Sequence, residues 1–178
     1  MNKPFYIKKI EIFNIKNILN FINKNDLYYE FNELYNKKLF FKKVHSHVII
    51  NNGMIKDPQL YINFMIFLSP LLKKLNTRYG DGTILGMQLE KMFGKESIIK
   101  PHCDLGLYFL FSHRIHIPII TNENIDFFIE DKKFNLKCNS VYEVNNYKTH
   151  SVINKNENFE RIHLIIDFIE KKYISFAM

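Results

Sequence analysis

From Ile84 to Phe168 the chain is a succession of short extended runs separated by turns, and that rhythm limits the folds open to it. Residues 84–92, 98–101, 105–111, 114–120, 125–130, 133–137, 140–144, 150–153 and 162–168 all read as strands, with Asp131-Lys132 placed to close a hairpin. Many short strands at such spacing indicate a sandwich or barrel. The first half is mixed. Residues 6–13 alternate as a strand, and Asn14 can cap a helix whose Ile15, Ile18, Leu19 and Ile22 follow the helical period. Residues 27–34 and 47–50 read as extended, and Asp57-Pro58 is a strong helix start. The apolar helix that follows is expected to reach Leu75, broken or restarted at Ser69-Pro70, with a loop over 78–83. The expected architecture is mostly β with flanking helices: a single domain in which residues 1–83 buttress a β core formed by 84–178.

At 178 residues the chain is long enough to bury a substantial core. The apolar stretch 60–72 is interrupted by Asn63, Ser69 and Pro70 and is too short to cross a bilayer. No secretory signal pattern opens the sequence, and Cys103 and Cys138 lack the spacing of a disulfide or zinc framework. A reducing cytoplasm is therefore the expected location. The net charge of +7 raises the question of a nucleic-acid partner. The lysines are scattered in pairs such as Lys8-Lys9, Lys42-Lys43 and Lys73-Lys74, however, and Ala177 is the single alanine. That skew reflects A/T-rich coding as much as binding, so a solvated basic surface is expected in place of a nucleic-acid groove. It also makes the arginines informative, because only Arg78, Arg114 and Arg161 stand against 22 lysines. A planar fork that grips a carboxylate through two hydrogen bonds cannot be supplied by lysine.

The chemistry-bearing residues fall in three short segments. In Pro101-His102-Cys103-Asp104, His102 and Asp104 share a face of an extended chain, with Cys103 turned away as a small apolar residue. His150 in Thr149-His150-Ser151-Val152 must then arrive from another strand. Two imidazoles and one carboxylate on one face of a metal leave other positions open, which suits iron(II) oxygen chemistry. In Arg161-Ile162-His163-Leu164-Ile165-Ile166-Asp167, Arg161 and His163 lie on the face opposite Ile162, Leu164 and Ile166. Arg114 and His116 repeat the arrangement against Ile115, Ile117 and Ile119. A charge inside an apolar β run needs a partner, and an anionic cosubstrate is the partner expected here.

Taken together, these segments resemble the aspartyl/asparaginyl β-hydroxylase-like group of iron(II)/2-oxoglutarate dioxygenases. The resembling stretch runs from Phe93 to Phe168 and includes Gly94, 99–104, 114–119, Thr121-Asn122, 150–154 and 161–167 in order. The resemblance implies a double-stranded β-helix, also called a jelly roll and cupin-like, with iron held by His102, Asp104 and His150. It implies that Arg161 binds the distal carboxylate of 2-oxoglutarate and that Arg114 and His116 assist. Typical members look like two-histidine enzymes with glycine where Asp104 stands, and the Asp is more similar to the branch that includes free-proline hydroxylases. The implied activity is hydroxylation of an unactivated C–H bond in an amino acid, or in an amino-acid side chain of a peptide or protein.

Two other readings have sequence support: a cupin-like metal-binding protein without oxygenase activity, which has no use for Arg161, and a basic nucleic-acid-binding protein. Gln88, Tyr142, His163 and Arg78 are further candidates for the pocket, and Glu90 alternates with Gln88 on one strand. His45 and His47 share a face and are expected to be structural or exposed. Neither the substrate nor the oligomeric state is encoded in a readable motif.

Overall fold

The alternation in the second half settles the layers. In the computed structural model, which describes residues 5–24, 41–95, 97–156 and 158–177, two antiparallel sheets face each other and a helical layer covers one of them. The elements in chain order are β1 (Ile7–Ile12), α1 (Lys16–Lys24), β2 (Phe41–Lys42), β3 (Val44–Asn51), β4 (Met54–Ile55) and α2 (Pro58–Tyr79). There follow β5 (Gly82–Phe93), β6 (Ile98–His102), α3 (Leu107–Phe111), β7 (Ser112–Ile120), β8 (Ile125–Ile129) and β9 (Lys132–Phe134). The chain ends in β10 (Ser140–Val144), β11 (His150–Asn154), β12 (Glu160–Glu170), a single 3-10 turn and α4 (Ile174–Ala177). The larger sheet runs β1-β10-β7-β12-β5-β3-β4 and the smaller β2-β6-β11-β8-β9. Strands of the first half, β1, β3 and β4, are thus part of the larger sheet.

Each central strand of the larger sheet has two different faces. Ile162, Leu164, Ile166 and Phe168 of β12, with Ile115, Ile117 and Ile119 of β7, join the core shared with α1 and α2. The intervening residues, including Arg114, His116, Arg161, His163 and Asp167, turn to the other side, between the two sheets. Because the side-chain period of a strand is two, one residue of slippage would exchange these sets. The long pairing of β12 with both β5 and β7 fixes the register.

Helix α2 starts as the sequence indicates. The Asp57 carboxylate accepts a hydrogen bond from the Leu60 N–H at 2.9 Å, and Pro58 occupies the first turn. The other Asp57 oxygen lies 2.9 Å from Nε2 of His47, so the cap is also tied to β3. Leu60, Phe64, Leu68, Leu71 and Leu75 form its buried stripe. Contrary to expectation, the helix is not broken at Pro70 and runs on to Tyr79. Proline cannot donate to the carbonyl four residues back. The Ser69 hydroxyl does so instead, donating to the Ile66 carbonyl at 3.0 Å. The loop expected over 78–83 is correspondingly reduced to Gly80 and Asp81.

A second correction concerns residues 105–111, read as a strand. Gly106 has φ of 123°, a backbone conformation that favours glycine, and the Leu110 N–H bonds back to its carbonyl. The result is the one-turn helix α3, which leaves Leu105 and Leu107 exposed. The run 27–34 lies outside the described residues. Phe64 is fully buried between helices and sheet, so Phe64→Ala is expected to lower stability in urea unfolding by about 3–5 kcal/mol.

Candidate metal centre and cosubstrate pocket

Strand pairing brings the two imidazoles together. β6 and β11 are neighbours in the smaller sheet, and His102 and His150 are direct partners across them, with ring centroids 4.3 Å apart. Each ring is oriented by the carbonyl two residues before it. Nδ1 of His102 lies 2.8 Å from the Lys100 carbonyl and Nδ1 of His150 lies 3.0 Å from the Lys148 carbonyl. A carbonyl only accepts, so both protons belong on Nδ1, and both Nε2 atoms present lone pairs. Those atoms face Asp104, at 3.7 Å from His102 and 3.9 Å from His150. Asp104 follows the end of β6, where its N–H is tied to the Asn146 carbonyl at 2.9 Å.

The donor atoms of His102, Asp104 and His150 all lie within 4.8 Å of one another. Oδ2 of Asp104 is buried and meets the Arg114 guanidinium as an ion pair, without a well-aligned hydrogen bond. Two imidazole nitrogens and a carboxylate form a donor set that fits a divalent transition-metal ion. Carbonyl-anchored Nδ1 protons are the orienting contacts such ligands use. Burial lowers the proton affinity of His150, against the pull of Asp104, which favours the neutral ligand form.

Behind the triad lies a row of buried charges from β7 and β12. Arg114 donates to both oxygens of Asp167, at 2.9 and 3.0 Å, and its Nε lies 3.2 Å from Oδ2 of Asp104. Burial disfavours the Arg114 charge, but Asp167, Asp104 and Glu90 around it raise its proton affinity above the usual value. Burial pushes the Asp167 carboxyl up against the pull of Arg114. The Tyr108 hydroxyl of α3 is 3.4 Å from Asp167. Gly86 on β5 permits this approach, since a Cβ there would stand 2.4 Å from the Tyr108 hydroxyl and 2.5 Å from Asp167.

The second arginine is more deeply enclosed. Arg161 is fully buried; one terminal nitrogen donates to Oε1 of Glu90 at 2.7 Å and the other to Nδ1 of His163 at 2.8 Å. Arginine only donates, so His163 accepts at Nδ1 and carries its proton on Nε2, which has no partner among the described residues. Burial, then the nearby guanidinium of Arg161, holds His163 well below the usual histidine range. His116, 3.5 Å from His163, is depressed by burial and then by the guanidinium groups of Arg114 and Arg161. Both imidazoles are therefore neutral at physiological pH.

These groups surround a cavity of about 450 Å³ between the sheets, in the size range of small-molecule sites. His102, Asp104, His150, Arg114, His116 and Gln88 line it, as do Glu90, Asp167 and Tyr108. Arg161 and His163 lie behind its wall and are not among the lining residues.

The sequence profile of the aspartyl/asparaginyl β-hydroxylase family matches residues 72–171. The chain belongs to this family. It is an oxygenase of the hydroxylating class, built on the jelly-roll fold. Solved structures similar to this enzyme include an oxidoreductase of the 2OG-Fe(II) oxygenase family from Burkholderia pseudomallei, with TM-score 0.56 and 16% identity. That match covers 71% of this chain and 65% of the other. HygX from Streptomyces hygroscopicus, with nickel and 2-oxoglutarate bound, matches with TM-score 0.62 and 9% identity over 93% of this chain and 82% of that one. A prolyl hydroxylase from Trichoplax adhaerens, in complex with a hypoxia inducible factor oxygen degradation domain peptide fragment, matches with TM-score 0.56 and 11% identity. It covers 99% of this chain and 88% of that one. No curated protein sequence matches the chain.

The remaining sequence candidates are elsewhere in the enzyme. Arg78 sits in the last turn of α2, its guanidinium 5.9 Å from the Tyr79 ring, and does not line the cavity. The Tyr142 hydroxyl accepts a hydrogen bond from the Lys137 N–H, and this residue also lies off the cavity. His47 is tied to the α2 cap. Asp167 and Tyr108 are cavity residues to which the sequence reading gave no role. Asp167 shares its face with Arg161 and His163, so the alternation already contained that signal. Tyr108 was hidden by reading its helix as a strand.

Because Asp167 holds Arg114, and Arg114 touches the Asp104 carboxylate, Asp167→Asn is expected to lower Mn(II) affinity about 10–100-fold. Calorimetric titration of the metal checks this, and an unchanged affinity would show that Asp167 does not position the carboxylate ligand.

Proposed function

We propose that the enzyme hydroxylates an unactivated C–H bond of an amino-acid residue, with His102, Asp104 and His150 holding the iron. Arg161, Arg114 and His116 are assigned to the cosubstrate. The observation that carries the assignment is the convergence of two Nδ1-anchored imidazoles and the Asp104 carboxylate at a cavity between the sheets. Ferrous iron held there would let dioxygen act as the oxidant: one oxygen atom would enter the substrate as hydroxyl, and the other would enter the succinate formed as 2-oxoglutarate loses carbon dioxide. The protein's part is placement and exclusion of water. Ile99, Phe127, Val152 and Ile165 supply apolar lining. The neutral imidazole of His116 offers a hydrogen-bonding group without a charge that would repel the metal.

The mouth favours a peptide or protein segment over a free amino acid. Leu105 and Leu107 border the cavity and are 71% and 64% exposed. Exposed leucines at the rim of a polar site mark a surface that a larger, partly apolar substrate covers. The peptide-bound prolyl hydroxylase of the same fold supports this reading. Cys103 and Cys138 are both unbridged, and no helix among the described residues is long and apolar enough to cross a membrane. A reducing cytoplasm, which also keeps iron ferrous, is the compartment we assign.

The test is succinate formation by ferrous-loaded enzyme with 2-oxoglutarate, against parallel panels of free amino acids and of short peptides. Peptides are expected to stimulate turnover more strongly. His150→Ala is expected to abolish succinate formation while the circular dichroism spectrum stays native. Normal turnover in that variant would refute the ligand assignment.

A further inference from the structure

Two buried guanidinium–carboxylate pairs stand side by side in the interior, and they are not alike. Arg114 and Asp167 form a closed pair, with both carboxylate oxygens engaged at 2.9 and 3.0 Å. Arg161 and Glu90 meet through a single hydrogen bond at 2.7 Å. The Nε of Arg161 is buried with no partner among the described residues, so Glu90 leaves the fork partly unfilled. The two residues also differ in position: Arg161 is sealed behind the wall, whereas Glu90 is part of the wall and borders the cavity. Any carboxylate that approaches Arg161 from the cavity therefore meets the Glu90 carboxylate first.

We infer that Glu90 is a latch: its carboxylate occupies Arg161 until the distal carboxylate of 2-oxoglutarate replaces it, so that Glu90 sets how tightly the enzyme takes its cosubstrate. This rests on the assignment of Arg161 to that carboxylate. The physical argument is one of counter-ions. A fully buried guanidinium without an anion is costly, so a resident carboxylate keeps the empty pocket stable. Two carboxylates facing one guanidinium repel each other, so entry of the cosubstrate requires Glu90 to give way. A monodentate contact on a flexible glutamate at the cavity edge is one that can be exchanged, whereas the two-point Arg114–Asp167 pair is a fixed support. The latch also selects. A keto acid lacking a distal carboxylate has nothing to exchange with Glu90 and gains nothing from Arg161.

The experiment is calorimetric titration of Mn(II)-loaded enzyme, wild type and Glu90→Gln, with 2-oxoglutarate and with 2-oxobutyrate. Glutamine keeps the shape and an acceptor oxygen but removes the charge that competes. The expected result is 2-oxoglutarate binding tightened about 10-fold or more in Glu90→Gln, with 2-oxobutyrate affinity the same in both proteins. Unchanged or weakened 2-oxoglutarate binding in the variant, with measurable binding in wild type, overturns the latch and makes Glu90 a permanent counter-ion. Equal tightening of both keto acids also overturns it, since general electrostatics would then account for the change. If neither protein binds 2-oxoglutarate although Mn(II) binds, the cosubstrate assignment itself falls, and the latch with it. Should Glu90→Gln not fold, a crystal structure of the wild-type enzyme with Mn(II) and 2-oxoglutarate decides the matter. Release of Arg161 from Glu90 supports the latch, and an intact contact refutes it.

Discussion

Charged side chains between two apolar sheets survive only where opposite charges meet them, and this requirement organises the interior of the enzyme. Arg114 lies between Asp167 and Asp104, and Arg161 beside Glu90. Removing one member of such a pair leaves the other buried and uncompensated, at a typical cost of about 3–5 kcal/mol. The pairs are weak evidence for stability as such, since apolar residues of similar volume would fill the space as well. Their value lies in position. Arg114 joins the structural support at Asp167 to the carboxylate of the metal triad, so one guanidinium links the larger sheet to a ligand attached to the smaller one.

The division of labour between the sheets follows from this. The smaller sheet carries the two histidines as paired residues on adjacent strands, and the carbonyl two residues before each sets its tautomer. The larger sheet carries the arginines, and its other face rests on α1 and α2. The histidine pair and the guanidinium–carboxylate groups thus stand on opposite sides of one cavity. Apolar residues on the central strands then do two jobs: they anchor the sheet to the helices and, by occupying every second position, aim the polar residues inward.

Much of this was legible in the sequence because alternation is a strong signal when apolar and polar residues are sharply distinguished. Arg161-Ile162-His163-Leu164 can be placed on a strand with its faces assigned before any coordinates are known. His102 and Asp104 could be set on one face by their two-residue spacing, and the family resemblance joined His150 to them; the structure brings the three side chains together. What was not legible depended on contacts between distant residues. Nothing local shows that Glu90 reaches Arg161, because the two stand on neighbouring strands far apart in sequence. Pro70 was misread because the donor that replaces its missing N–H is a side chain, that of Ser69. The stretch 105–111 was misread because an apolar run without alternation fits a strand or a short helix equally, and the conformation of Gly106 decides between them.

The way Asp104 is attached has a mechanical consequence. The imidazole ligands belong to a hydrogen-bonded ladder, while the carboxylate ligand sits beyond the strand end on a main chain steadied by one bond to Asn146. Two of the three side chains are therefore set by strand pairing, while the third takes its place from tertiary contacts, Asn146 on its main chain and Arg114 on its carboxylate.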